Sequence, residues 1–222
     1  MKLLELIFPY KCPFCGKLIS DKDANQNKCE ECAIKLKKNK FEFCNNTYDF
    51  LPNNKALYCV YRYNGMLRDA VIRYKFKDEI WLAKPFARML IEYIEQYCDF
   101  KLFDVIVCVP VSAKRLKNRG YDQSFEIAKF ISREKKIPIV SCLLKVDAFG
   151  DNAAEHKDRN QRVSESRYNF KGSATSINSK NVLLLDDVIT TGSTIRDCTD
   201  ILIKNGAKSV YVAVLASGRR DI

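Results

Sequence analysis

From Ala56 onward, apolar residues fall alternately into short runs and into the three-to-four-residue spacing of helices. Residues 57–63, β-branched and aromatic in alternation, predict a strand that Asn64-Gly65 stops. Met66, Leu67, Ala70, Val71 and Tyr74 then recur at helical spacing, and a second helix is predicted over about residues 80–97. Residues 104–110 and Val182-Leu183-Leu184-Leu185 are short continuous apolar runs, the pattern of strands covered on both faces. Residues 124–135 and 195–205 predict further helices, the latter closed by Gly206 and leading into a strand over residues 209–215. Strands alternating with helices predict an α/β domain on a mainly parallel sheet. Residues 147–180, rich in Asn, Asp, Ser, Lys and Arg, predict a long surface loop.

Ahead of this regular part, residues 11–49 show little apolar periodicity, and residues 50–54 (Phe-Leu-Pro-Asn-Asn) look like a connector. The expected division is a small module over residues 1–50 and an α/β domain over residues 51–222. At 222 residues, 47% hydrophobic and 29% charged, the chain has the composition of a soluble globular protein, which excludes disordered, collagenous and membrane classes. A chain of this size buries about 70% of its unfolded surface, so its main body needs no metal or disulfide staple. The net charge is +11, and its distribution is uneven: residues 1–50 hold 9 basic against 7 acidic residues, residues 51–222 hold 29 against 20. That balance fits polyanionic partners such as phosphates or nucleic acid without deciding between them. No stretch approaches the roughly 18 apolar residues of a membrane span, so no membrane insertion is expected. The opening Met1-Lys2-Leu3-Leu4 imitates an export signal, but Glu5 interrupts it and Pro9 ends it, and a cytoplasmic protein is expected.

Four of the ten cysteines form two C-x-x-C pairs, Cys12/Cys15 and Cys29/Cys32, separated by 13 residues. Each pair puts two sulfurs on one tight turn, and two facing turns complete the closed tetrahedral shell that Zn²⁺ prefers. The expectation is structural zinc, which a module with so few apolar residues needs in order to fold; the alternatives are four unrelated thiols or a redox pair. Cys44 is a possible further participant or a plain surface or packing thiol. Cys59, Cys98, Cys108, Cys142 and Cys198 sit in apolar stretches, where cysteine acts as a small hydrophobe.

The run 182–185 ends in Asp186-Asp187, and Thr190-Thr191-Gly192-Ser193-Thr194 then opens the next helix. Hydroxyls and free backbone N–H groups at a helix N-terminus cradle a phosphate. Carboxylates at a strand's carboxyl end accept hydrogen bonds from vicinal hydroxyls in the crevice where open α/β sheets bind ligands. Together they describe a ribose 5-phosphate site; the alternative is a capped loop beside solvated aspartates.

This segment resembles the type I phosphoribosyltransferase signature. More narrowly, the chain resembles the ComF/GntX family of competence-associated, phosphoribosyltransferase-like proteins with an N-terminal zinc ribbon. The matching motifs are residues 4–9 leading into C-x-x-C-G; Tyr63, Gly65, Leu67 and Arg68 followed by Lys75-Phe76; and Val109-Pro110-Val111 followed by residues 115–124 and Ala128. The resemblance implies a parallel sheet flanked by helices. Asp186 and Asp187 would hold the ribose hydroxyls of phosphoribosyl pyrophosphate (PRPP) or a related ribose phosphate, and residues 190–194 the 5-phosphate. Lys75, Arg115 and Arg119 would face the pyrophosphate or DNA phosphates, with Mg²⁺ accompanying PRPP. The chain departs from the family's usual loop pattern ahead of the signature strand: it keeps Arg159, Arg162, Arg167 and Phe170 but not clearly the Gln or the Asn. No general base is evident, since His156, the only histidine, lies in a polar loop.

Residues 58–63 and 73–77, basic and aromatic, offer stacking faces and charge to single-stranded nucleic acid; the alternatives are a half-exposed strand and a helix end favoured by its dipole. Two functions are therefore expected as alternatives. One is a competence-type protein that handles single-stranded DNA in natural transformation, with other competence proteins as further partners. The other is an active phosphoribosyltransferase that moves ribose 5-phosphate from PRPP to a nitrogen base.

Overall fold

The structure, a computed structural model, describes residues 10–19, 28–43, 51–146 and 168–219. In chain order the elements are α1 (Glu30–Lys37), β1 (Ala56–Arg62), α2 (Gly65–Phe76), a 3₁₀ turn (Ile80–Leu82), α3 (Ala83–Ile94), β2 (Val105–Cys108), α4 (Ala113–Arg119), α5 (Gln123–Lys135), β3 (Leu143–Lys145), β4 (Tyr168–Phe170), β5 (Asn181–Ile189), α6 (Ser193–Lys204) and β6 (Ser209–Ser217). Four strands form one parallel sheet in the order β1-β6-β5-β2, and β3 pairs antiparallel with β4 in a separate two-stranded sheet. The parallel sheet flanked by helices is the expected α/β architecture.

The apolar run at 182–185 is a central strand with each of its four residues fully buried. Its two sides feed separate cores. Leu183 and Leu185 pack with α3 (Phe86, Leu90, Ile94) and α5 (Ile127, Ile131), while Val182 and Leu184 pack with α6 (Ile195, Cys198, Leu202) and with Tyr168 of β4. So α5, which follows β2, and α6, which follows β5, lie on opposite faces. The chain leaves the adjacent ends of β2 and β5 in opposite directions, which opens a crevice there, the place where sheets of this kind bind ligands.

Several expectations change in detail. Residues 80–97 are not one helix: a 3₁₀ turn precedes α3, where Pro85 sits in the first turn and its missing N–H costs no hydrogen bond. β1 is not half-exposed; its first six residues, Tyr58 and Tyr61 among them, are buried. β5 runs on through Asp186 and Asp187, so both acids lie within the strand. Residues 168–180 of the expected loop hold β4 and a 3₁₀ turn with Tyr168 and Ile177 buried. The helix α4 gave no apolar period because none of its residues is buried; it starts at Ser112, whose side chain accepts from the Arg115 N–H at 3.3 Å.

The cysteine-bearing segment packs on the α/β core. Cys12, Phe14, Cys32 and Leu36 belong to the same cluster as Tyr58, Phe86 and Leu90. Residues 39–41 run antiparallel to β1, with Phe41 N–H to Val60 O at 3.0 Å and Arg62 N–H to Asn39 O at 2.9 Å. Arg73 of α2 donates to the Pro13 carbonyl and pairs with Glu79 at 2.6 Å. Among the described residues no helix is long and apolar enough to cross a membrane.

One backbone position gives a direct stability test. Gly206 follows α6 at φ +96°, and a Cβ there would lie 2.6 Å from Asn178 Oδ1. The Asn178 side chain can turn aside, but the left-handed backbone remains unfavourable for any L side chain. Gly206→Ala is expected to lower stability by about 1–2 kcal/mol, measured as a shift of the denaturation midpoint at unchanged slope.

Candidate functional site

The first cysteine pair lies on a tight hairpin: Cys12 N–H donates to Lys17 O at 2.8 Å, Gly16 N–H to Cys12 O at 2.9 Å, and Ile19 N–H to Tyr10 O at 3.0 Å. The second lies at the start of α1, where Cys29 is the N-cap and Cys32 is in the first turn. The four sulfurs are all within 4.8 Å of one another, with Cys15 and Cys29 at 3.7 Å. A tetrahedron of ~2.3 Å metal–sulfur bonds has edges of roughly 3.8 Å, so the set fits a metal ion with little adjustment. Burial pushes the Cys12 thiol up, but backbone N–H groups of Cys15, Cys29 and Phe14 outweigh it and hold it down at about 7. Burial and the neighbouring thiols push Cys32 well up. A cation among them would ionise all four. The sequence expectation of a four-cysteine cluster that could hold a metal is met.

At the crevice, Asp187 is buried and pairs with Lys75 of α2, Nζ to Oδ1 at 2.7 Å. Asp186 accepts from the Ser124 hydroxyl at 3.2 Å and from the Asp187 N–H at 2.8 Å. Burial, then the charge of Asp187, push the Asp186 carboxyl up to about 7. Thus α2 supplies the cation to one acid and α5 the hydroxyl to the other.

The loop after β5 carries Thr190, Thr191 and Gly192 into α6. Gly192 is the N-cap at φ 84°, a conformation that glycine adopts without strain. The Thr191 and Ser193 hydroxyls are 3.0 Å apart. The loop is tied to the end of β6: Gly218 N–H donates to Ile189 O at 2.9 Å and Arg219 Nη1 to Thr191 O at 2.7 Å. The first N–H groups of a helix have no acceptor within it, and here that of Ser193 donates to the Thr191 hydroxyl at 3.4 Å. A hydroxyl-bearing N-terminus of a 12-residue helix is a place where an anion can be held.

Beside the acids is a cleft of about 390 Å³ lined by Lys75, Phe76, Asp78, Arg115, Asn118 and Arg119. Arg119 donates to Gln123 Oε1 at 2.8 Å and its guanidinium lies 4.7 Å from the Phe76 ring centroid. Desolvation, then the charge of Arg115, lower the Arg119 pKa. Its walls are clasped together: Tyr74 OH donates to Gln123 O at 2.8 Å, and Tyr121 OH donates to Tyr74 O.

The structure therefore brings Lys75, Arg115 and Arg119 to one cleft and joins it to the acid pair through Lys75. Thr190, Thr191, Gly192, Ser193 and Thr194 stand at the end of the same strand as the acids. The aromatic stretch is corrected: Tyr58, Tyr61 and Tyr74 are buried and cannot stack on an outside partner, whereas Phe76 is 62% exposed. Cys44, His156, Arg159, Arg162, Arg167 and the motif at residues 4–9 lie outside the described residues. No local pattern in the sequence marks Ser124, which donates to Asp186, or Arg219, which holds the loop after β5. Ser124 ends the motif at residues 115–124; Arg219 carries no signal beyond its charge.

A family model described as the phosphoribosyl transferase domain matches residues 82–222. The chain is similar to Competence protein F of Haemophilus influenzae, 27% identical over 193 residues, which cover 85% of this chain and 83% of that protein. It is similar to Competence protein ComFC of Streptococcus pneumoniae, 28% identical over 206 residues, covering 93% and 80% respectively. It is also similar to DNA utilization protein YhgH of Escherichia coli, 23% identical over 207 residues, covering 90% and 87%. These relatives support the ComF resemblance carried by the motifs.

Proposed function

The chain belongs to the phosphoribosyl transferase domain family, and from that premise we propose a competence-type protein that handles single-stranded DNA in natural transformation and binds PRPP or a related ribose phosphate. One observation carries the reading: an acid pair within β5, a hydroxyl-rich helix start directly after it, and three cations across the crevice, joined by the 2.7 Å Lys75–Asp187 contact. A bare anion suits the cations and the helix start but is repelled by the acids; a ribose 5-phosphate carrying hydroxyls and phosphates satisfies all three. Asp186 and Asp187 would take the ribose hydroxyls, residues 190–194 the 5-phosphate, and Lys75, Arg115 and Arg119 the pyrophosphate. Mg²⁺ bound with PRPP would neutralise part of the pyrophosphate charge. Zn²⁺ is the metal that best suits four thiolates with no open position, and a reducing cytoplasm would keep those thiols available. The names of the relatives, competence and DNA utilization proteins, support the DNA side. The family favours a second reading, turnover of PRPP with a nitrogen base, which pyrophosphate release on adding bases would reveal.

The test is calorimetry with Mg²⁺·PRPP and with single-stranded DNA, separately and in competition. Both are expected to bind. DNA affinity should fall steeply between about 50 and 200 mM salt, as counterion release requires. Absence of PRPP binding would overturn the pocket assignment; absent or salt-independent DNA binding would overturn the nucleic-acid assignment.

A further inference from the structure

The helix α4 is unusual for a packed domain because it contributes nothing to the core. None of its seven residues is buried, and four of them are cations, Lys114, Arg115, Lys117 and Arg119. Packing therefore does not explain it. Arg115 and Arg119 turn toward the cleft, where they meet Phe76. Phe76 ends α2 with 62% of its surface exposed, and the Arg119 guanidinium stands over its ring at 4.7 Å. A large exposed aromatic ring next to a planar cation, on the border of a helix with four cations and no acid, is the pairing that binds single strands: the ring and guanidinium receive a base, and the helix cations track the phosphates. An acidic peptide would use the cations but leave the ring idle. A duplex hides its base faces and would also leave the ring idle.

We propose that single-stranded DNA runs along α4 with one base stacked on Phe76. This rests on the DNA side of the reading above and gives it a location. Arg115 and Arg119 then serve two anions, the DNA backbone and the ligand of the cleft, so a strand seated here and PRPP exclude one another. Lys114 and Lys117 belong to the strand's path alone.

The experiment is fluorescence anisotropy of a labelled oligodeoxythymidylate of about 20 nucleotides, longer than the usual site sizes, against the full chain and two variants. Phe76→Ala is expected to weaken binding by about 5- to 150-fold, the equivalent of losing one base–aromatic stack. The double change Lys114→Gln and Lys117→Gln should lower the salt slope of log K by about 1.4, two single-strand phosphate contacts, and leave calorimetric PRPP affinity unchanged. Equal binding by the parent and both variants overturns the location while the DNA reading stands. Polyglutamate displacing the oligonucleotide as well as unlabelled oligonucleotide does overturns it in favour of an acidic protein partner. If the parent binds no single strand at all, the DNA reading falls and takes the location with it.

Discussion

Cys29→Ser is expected to strip the chain of one equivalent of zinc and to unfold residues 10–40 while the parallel sheet stays folded with a lower melting temperature. Cys29 joins two parts of the site at once, since its sulfur is 3.7 Å from Cys15 of the first turn and its backbone caps α1. The segment has little else to hold it, because its described buried apolar side chains from residue 10 to residue 40 are Cys12, Pro13, Phe14, Cys32 and Leu36. Structural zinc sites of this type are worth about 10–16 kcal/mol at neutral pH, as much as a whole domain's net stability of about 5–15 kcal/mol. Serine is a poor ligand in its place, and the remaining three thiols leave the shell open. The sheet has its own two cores and survives, but Phe14 and Leu36 no longer cover α2 and α3, so its midpoint falls. Metal analysis, near-native far-UV dichroism and thermal denaturation read the three parts. A parent protein without stoichiometric zinc would sink the metal assignment.

Asp186→Ala and Asp187→Ala are each expected to weaken PRPP binding by about 1–3 kcal/mol, the range of hydrogen bonds to a charged partner. Their effects on folding should differ. Asp187 shares its charge with Lys75, and both side chains are mostly buried, at 10% and 19% exposure. Removing Asp187 strands a cation, which destabilises, whereas Lys75→Met together with Asp187→Ala should restore part of the loss. Asp186 holds its proton more tightly when folded, with its pKa raised from 3.8 to about 7 by burial and by Asp187. The unfolded chain releases that proton at lower pH than the folded one, so stability falls as pH rises from about 4 to about 7. Asp186→Asn removes the ionisable group and should flatten that part of the profile. Denaturant midpoints at pH 5 and pH 8 measure it; a slope equal to the parent's would show that Asp186 is not the group concerned.

The parts of the fold that were legible in the sequence are those where burial follows a period. Val182-Leu183-Leu184-Leu185 could only be a strand covered twice, and Ile195, Cys198 and Leu202 could only face one way. The candidate site was legible where chemistry demands rare neighbours, as with Asp186-Asp187 before a hydroxyl loop and with the paired C-x-x-C turns. Elements without a buried face were not: α4 has no buried residue, and β3 and β4 are three residues each. Partners drawn from distant segments were equally hidden. Ser124 reaches Asp186 across 62 positions and Lys75 reaches Asp187 across 112, and no local pattern encodes such meetings. Tyr58 and Tyr61 misled because an alternating aromatic strand reads the same whether one face or both are covered.

The antiparallel contact of residues 39–41 with β1 has a meaning for the protein outside its binding chemistry. β1 is the end strand of the sheet, and a bare end strand invites pairing with another molecule's backbone. Phe41 and Asn39 occupy that edge through their bonds to Val60 and Arg62, and they follow directly from α1, which begins at a metal-type cysteine. The cysteine cluster thus guards a seam. If a metal holds these sulfurs, its removal by chelation or their oxidation is expected to loosen that cover and leave the β1 edge open to another molecule's backbone, so that metal content and solubility would fall together.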